Sequence, residues 1–208
     1  MDTRTRLAML GAAALCAGCG GAHPAATTTT SAGGVLGLVP AGPHRKPAIV
    51  LTDTAGRRYD LTTATRGKLV YLYFGYTHCP DACPLTMATL AAALRDAPQA
   101  ERSRVAVVFV TVDPRRDTKA VLRRWLDRYS DAFIGLTGTP AQIRTAERQA
   151  DVPLASADPG STSGYTVSHA SLVLTYSPDG RTHAVYPDGF SARDYVHDLP
   201  LLLAAGRG

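Results

Sequence analysis

The run LVYLYFGY, Leu69 to Tyr76, constrains the fold of this chain more than any other stretch. It is continuously apolar and aromatic, broken only by Gly75, with no polar alternation that would let one face meet water. Such a strand needs cover on both faces and reads as the centre of a sheet between layers of helix. RVAVVFVTVD, further along, is a second strand of the same kind. Between them, after Pro84, Met87, Leu90, Ala91 and Leu94 recur at helical spacing.

The alternation continues along the chain. AIVLTDTAGRRYDL reads as a hairpin turning at Ala55-Gly56. After the second central strand, Leu122, Trp125, Leu126 and Tyr129 fall on one helical face, with Asp117 as the expected N-cap. FIGLTG reads as a short strand, and Thr139 caps the next helix with Pro140 at its first position. SLVLTYSPDGRTHAVYP reads as two strands joined at Pro178-Asp179-Gly180, and Ser191 with Asp194 opens a last helix. The expected architecture is α/β, a central mixed sheet flanked by helices with an N-terminal β-hairpin.

The N-terminus, MDTRTRLAMLGAAALCAGCGG, carries Arg4 and Arg6 before an apolar run, Leu7 to Ala17, that is too short to span a bilayer. Small residues then lead to Cys19. This reads as an export signal over residues 1–19. The Ala-Gly-Cys ending resembles a bacterial lipobox, with Cys16 where leucine is usual, so Cys19 is the expected site of lipid attachment. Residues 20–46 are rich in Gly, Pro and Thr and read as a tether, with the folded domain at 47–208. The expected location is the outer face of the bacterial cytoplasmic membrane. The formal charge of +5 is not gathered into any block, which gives nucleic-acid binding no support.

Of the four cysteines, only Cys79 and Cys83 fall in the expected domain. They lie where a core strand meets a helix N-terminus. Free N–H groups and the helix dipole stabilise a thiolate there, making it a better nucleophile and metal ligand. A structural disulfide is the weaker reading, because so short a ring gains little loop-closure entropy. A redox pair and part of a metal site both remain open. The strand-to-helix placement is that of the reactive pair in thioredoxin-like folds, although those oxidoreductases space their cysteines by two residues and this chain by three.

A metal site needs a third donor. Of the six histidines, His23 and His44 lie in the tether, His183 in the last hairpin, and His197 on the last helix facing Asp194. All four read as solvated. His78 adjoins Cys79 and reads as a loop residue. His169 precedes SLVLTY, in the loop that a thioredoxin-like topology brings beside the cysteines.

GYTHCPDACP, VTVDPRRDT, LTGTP and YTVSHASLVL, in that order over roughly Pro47 to Leu203, resemble the Sco/SenC family of membrane-attached copper proteins. The resemblance implies a thioredoxin-like copper chaperone that delivers copper to the CuA centre of cytochrome c oxidase subunit II or to another copper acceptor. It places the metal ligands on Cys79, Cys83 and His169, with Asp113 as an auxiliary oxygen donor. Lys119 stands where the family's DPxRDTP loop ends in proline. Two thiolates and an imidazole suit Cu(I), while Cu(II) would seek a further donor such as water or Asp113. Structural zinc usually takes four protein ligands. A metal with few ligands is open to stepwise exchange with an acceptor's thiols. The rival reading is a thiol–disulfide reductase that keeps the CuA cysteines reduced, using Cys79 and Cys83 without His169. A peroxide-detoxifying activity on a peroxiredoxin-like scaffold leaves His169 without a role.

Overall fold

A computed structural model describes residues 34–42, 44–161 and 164–205, with only the backbone at 159–161 and 164. The export signal, Cys19 and the first part of the tether lie outside the described residues. The first elements are β1 (Val50–Asp53), β2 (Arg58–Asp60), α1 (Leu61–Ala64), β3 (Leu69–Gly75) and α2 (Ala82–Asp96). Then come α3 (Gln99–Arg102), β4 (Val105–Thr111), α4 (Lys119–Leu126), β5 (Ile134–Thr137) and α5 (Pro140–Gln149). The last are β6 (Ser156–Ser161), β7 (Gly164–Ser168), β8 (Leu172–Tyr176), β9 (Val185–Pro187) and α6 (Ala192–Ala204).

Seven strands form one mixed sheet in the order β2-β1-β5-β4-β3-β8-β9. β3, β4 and β5 run parallel, while β8 and β1 join them antiparallel. Every residue of β3 is buried, and its alternation divides the interior in two. Leu69, Tyr71 and Tyr73 pack with Met87 and Leu90 of α2, Leu122 and Trp125 of α4, and Leu199 of α6. Val70, Leu72 and Phe74 pack with Leu61 of α1 and Ile143 and Ala146 of α5. Helices therefore cover both faces, as a strand without polar positions requires.

Local signals hold at several boundaries. β1 pairs with β2 around Gly56, whose φ of 83° is the left-handed conformation that glycine adopts freely. The Thr139 hydroxyl accepts the Gln142 N–H at 3.2 Å, and the Gln142 side chain accepts the Thr139 N–H at 2.8 Å. Three expectations change. The cap of α4 is Thr118, whose hydroxyl accepts the Val121 N–H at 3.3 Å, because Asp117 turns inward to other donors. The stretch before His169, expected as a loop, contains the β6–β7 hairpin, which stands outside the seven-stranded sheet. The short helices α1 and α3 were not expected.

A further change concerns the tether. From Gly34 to Lys46 the described residues lie against the domain. Leu38 exchanges two backbone hydrogen bonds with Val185, at 2.9 and 2.8 Å. The buried Asp198 carboxylate of α6 accepts the N–H groups of Leu36 and Gly37, each at 2.9 Å, the Tyr186 hydroxyl at 2.7 Å and His197 Nδ1 at 2.8 Å. A Cβ on Gly37 would come within 2.7 Å of the Tyr186 ring, so the strap crosses there only as glycine. Burial pushes the Asp198 carboxyl up. The hydrogen bonds from His197, the two amides and Tyr186 outweigh it and hold the group below its ordinary range.

A carboxylate with a depressed folded pKa contributes stability at neutral pH that is lost as pH falls through that pKa. Asp198→Asn should therefore cost about 3 kcal/mol near neutrality, the worth of several hydrogen bonds to a buried charge. The difference from wild type should shrink below about pH 4, the ordinary aspartate pKa. Urea unfolding of both proteins across pH checks this; a gap that does not depend on pH would contradict it.

Candidate metal centre

The site is built by the end of β3 and the start of α2. Gly75 closes the strand, a turn over residues 76–81 follows, and α2 begins at Ala82. Pro84 fits the first turn of α2, where its missing N–H would have no intrahelical partner in any case. Cys79 thus precedes the helix and Cys83 lies in its first turn. A Cβ at residue 75 would stand 2.8 Å from Cys83 Sγ and 2.8 Å from the Tyr73 ring, so glycine makes room for the buried sulfur.

Cys79 Sγ accepts the Cys83 N–H at 3.4 Å. Cys83 Sγ lies 3.4 Å from His169 Nε2 and receives the Tyr73 hydroxyl at 3.9 Å. The donor atoms of Cys79, Cys83 and His169 all lie within 4.8 Å of one another. His169 Nδ1 is 3.2 Å from the Ala170 carbonyl oxygen, which can only accept. The imidazole proton therefore belongs on Nδ1, and the Nε2 lone pair faces the sulfurs, the orientation a ligand needs. Tyr73 and Tyr76 meet the imidazole edge-on, with ring centroids 5.9 and 5.7 Å away. Cys83 is fully buried, while Cys79 and His169 are half-buried and form the open side.

The two thiols are electrostatically unequal. A hydrogen bond from the Cys83 thiol is the largest cause that brings Cys79 down to about 3, helped by the Cys83 and Asp81 amides against the cost of burial. The same hydrogen bond, together with burial, pushes Cys83 up. One proton is thus shared by the pair, held on the inner sulfur while the outer one is a thiolate. Two sulfurs and an imidazole nitrogen converging from one side fit a soft cation of low coordination number. Among the described residues no fourth protein donor joins the cluster to make a closed tetrahedral zinc site.

The other candidates fall elsewhere. Both Asp113 oxygens already accept, one from Arg116 and the other from the Tyr165 hydroxyl at 2.7 Å, and Asp113 is not part of the donor cluster. His183 Nε2 is 2.9 Å from Asp179, and His197 pairs with Asp198 rather than Asp194. His44 contributes its backbone carbonyl to Thr182. His78 Nδ1 lies 3.1 Å from the Thr77 hydroxyl.

Residues that sequence reasoning missed hold the cysteine turn. The buried Asp117 accepts the Thr77 N–H at 2.9 Å, the Thr77 hydroxyl at 2.5 Å and the Thr111 hydroxyl at 2.6 Å. This one carboxylate fastens the turn before Cys79 to the end of β4. Its only signal in the sequence was its place in DPRRDT.

A sheet covered on both faces, with two cysteines and a histidine at a strand-to-helix turn, defines a thioredoxin-like domain with a soft-metal centre. The family described as SCO1/SenC matches residues 42–204, and the chain belongs to it. The mitochondrial SCO2 homolog of Mus musculus is 33% identical over 141 residues, 67% of this chain and 55% of that protein. The chain spans about half the length of the mammalian relatives it matches. The structure of Bradyrhizobium japonicum ScoI with copper bound is 31% identical, with a TM-score of 0.67 over 78% of this chain and 98% of that one. Apo Sco1 from Thermus thermophilus is 32% identical, with a TM-score of 0.70, covering 80% of this chain and 96% of that one.

In the reduced protein without metal, iodoacetamide should alkylate Cys79 first. The rate should stay nearly constant from about pH 5 to about pH 8, where an ordinary thiol would gain about tenfold per pH unit. Peptide mass mapping over a pH series checks this; initial modification of Cys83, or a steep rise with pH, would contradict it.

Proposed function

We propose that this chain binds one copper ion through Cys79, Cys83 and His169, and that it serves cytochrome c oxidase assembly by delivering copper to the CuA centre of subunit II. What carries the reading is the convergence of two sulfurs and one lone-pair nitrogen within 4.8 Å, on a surface with an open side. The copper is cargo. When bound, it supplies the charge that replaces the shared thiol proton, and the protein supplies the donors. Cys79 is held low enough to bind as a thiolate, and the inner Cys83 must release its proton. The copper-bound B. japonicum ScoI, of the same fold, supports the choice of metal.

A second reading has its own observation. A low-pKa outer sulfur beside a protonated inner one is the asymmetry of a nucleophile and its resolving partner. On that reading the pair keeps the CuA cysteines reduced and His169 is dispensable. His169→Ala separates the two. It should weaken copper binding and change the Cu(II) charge-transfer spectrum, while disulfide reduction of a subunit II fragment stays largely intact. In a strain carrying only this variant, grown at low copper, oxidase activity should be lost and should return on adding copper. Full activity without added copper would promote the reductase reading.

Attachment is part of the same proposal. Among the described residues no helix is long and apolar enough to cross a membrane. We place the domain on the outer face of the cytoplasmic membrane through lipidated Cys19. Cys19→Ser should release it or leave the signal uncleaved. Unchanged mature mass together with membrane retention would exclude that anchor.

A further inference from the structure

We infer that Arg116 is a positioning residue for the metal centre, clamping the β6–β7 hairpin to the loop between β4 and α4 and so setting where His169 stands. The inference rests on the reading of His169 as a copper ligand.

The hairpin needs such a clamp. Among the described residues, β6 and β7 pair only with each other, and their register breaks between Asp158 and Ser161. A cleft of about 430 Å³ lies alongside the hairpin, bordered by Val112, Arg115, Arg144, Ala155, Tyr165 and Val167. Val167 packs into the core from β7, and further fastenings reach the hairpin from outside it. At the entrance, the buried Glu147 carboxylate accepts the Ala155 N–H at 2.8 Å. On β7, close to the hairpin's turn, the holding group is Arg116.

Its guanidinium carbon stands 3.7 Å from the centroid of the Tyr165 ring. Nη1 donates to the Tyr165 carbonyl at 2.9 Å, and Nε donates to Asp113, whose other oxygen accepts the Tyr165 hydroxyl at 2.7 Å. One side chain thus grips β7 by a ring face and by the backbone, and a shared carboxylate closes the loop of contacts. Among the described residues, Nη2 is buried without a hydrogen-bond partner. The grip continues toward the metal. Arg116 lies 5.7 Å from the centroid of the Tyr76 ring, the Tyr76 hydroxyl accepts the Val167 N–H at 3.3 Å, and the same ring meets His169 edge-on. The imidazole's own hydrogen bond runs to its neighbour Ala170, on the same segment of chain. The register of β7 therefore decides where Nε2 stands. This also gives Asp113 its place as the anchor of Arg116, outside the donor cluster.

The test uses the full-length reduced protein, wild type and with Arg116→Met, Arg116→Lys, Tyr165→Phe or His169→Ala. Without metal, Arg116→Met should speed amide exchange at Thr166, Val167 and Ser168 by about tenfold or more, leaving β3 and β4 protected, because a local opening has been eased. Loaded with copper, it should release the metal to a chelator faster than wild type, approaching His169→Ala, with Cys79 alkylation unchanged. Arg116→Lys should not restore either property, since an ammonium offers neither the fork nor the stack. Tyr165→Phe keeps ring and fold, loses one hydroxyl, and should give an intermediate effect on both readouts. If Arg116→Met also loosens β3 and β4, the Tyr165→Phe comparison decides in its place. Hairpin exchange at the wild-type rate would overturn the inference. So would faster exchange with unchanged copper release. A wild-type protein that bound no copper would count against the proposed function, and the exchange data would still decide whether Arg116 holds the hairpin.

Discussion

The structure depends on the burial of β3 from both sides. A strand with no polar position must be sandwiched, and here it separates two apolar clusters, one under α2, α4 and α6 and the other under α1 and α5. Its C-terminal end is then the natural place for a turn that rises out of the core beside a helix N-terminus. The cysteines occupy that turn. Cys83 stays with the core because Gly75 leaves it room, and Cys79 stands outside because it precedes the helix. The inequality of the two sulfurs follows from the same arrangement, since the hydrogen bond between them lowers the outer thiol and raises the inner one, while burial raises both.

Around this turn, two carboxylates do related work by different means. Asp117 ties the backbone before Cys79 to β4 through hydroxyls and an amide, all neutral donors. Asp113 works through a cation and a phenol, and what it holds is the hairpin that leads to His169. The metal donors come from two separate parts of the chain, and DPRRDT supplies a fastening for each.

What was legible in the sequence follows from the range of the interactions involved. The central strands, the Thr139-Pro140 helix start and the Ser191-Asp194 pair depend on neighbours in sequence, and local rules found them. Asp117 and Thr118 are adjacent and both make good caps; only the distant Thr77 and Thr111 draw the first inward and leave the second to cap. The hairpin before His169 is written in Ser, Asp, Pro and Gly, the composition of a loop, and is fastened from Glu147, Arg116 and Tyr76, which no local pattern reveals. The same holds for residues 34–46, whose small residues read as tether until Asp198 is brought beside them. For the site, the residue types and the family resemblance named the three donors, but their convergence and the unequal thiols needed coordinates.

The strap at Leu36 to Leu38 also has a mechanical side. A pull on the chain from its N-terminal direction meets the packing of Val35 against the core, then the Asp198 carboxylate and the paired backbone of Leu38 and Val185. The load passes into α6 and β9, on the flank of the sheet. Tension from that side is thus taken up first by hydrogen bonds that can break and reform.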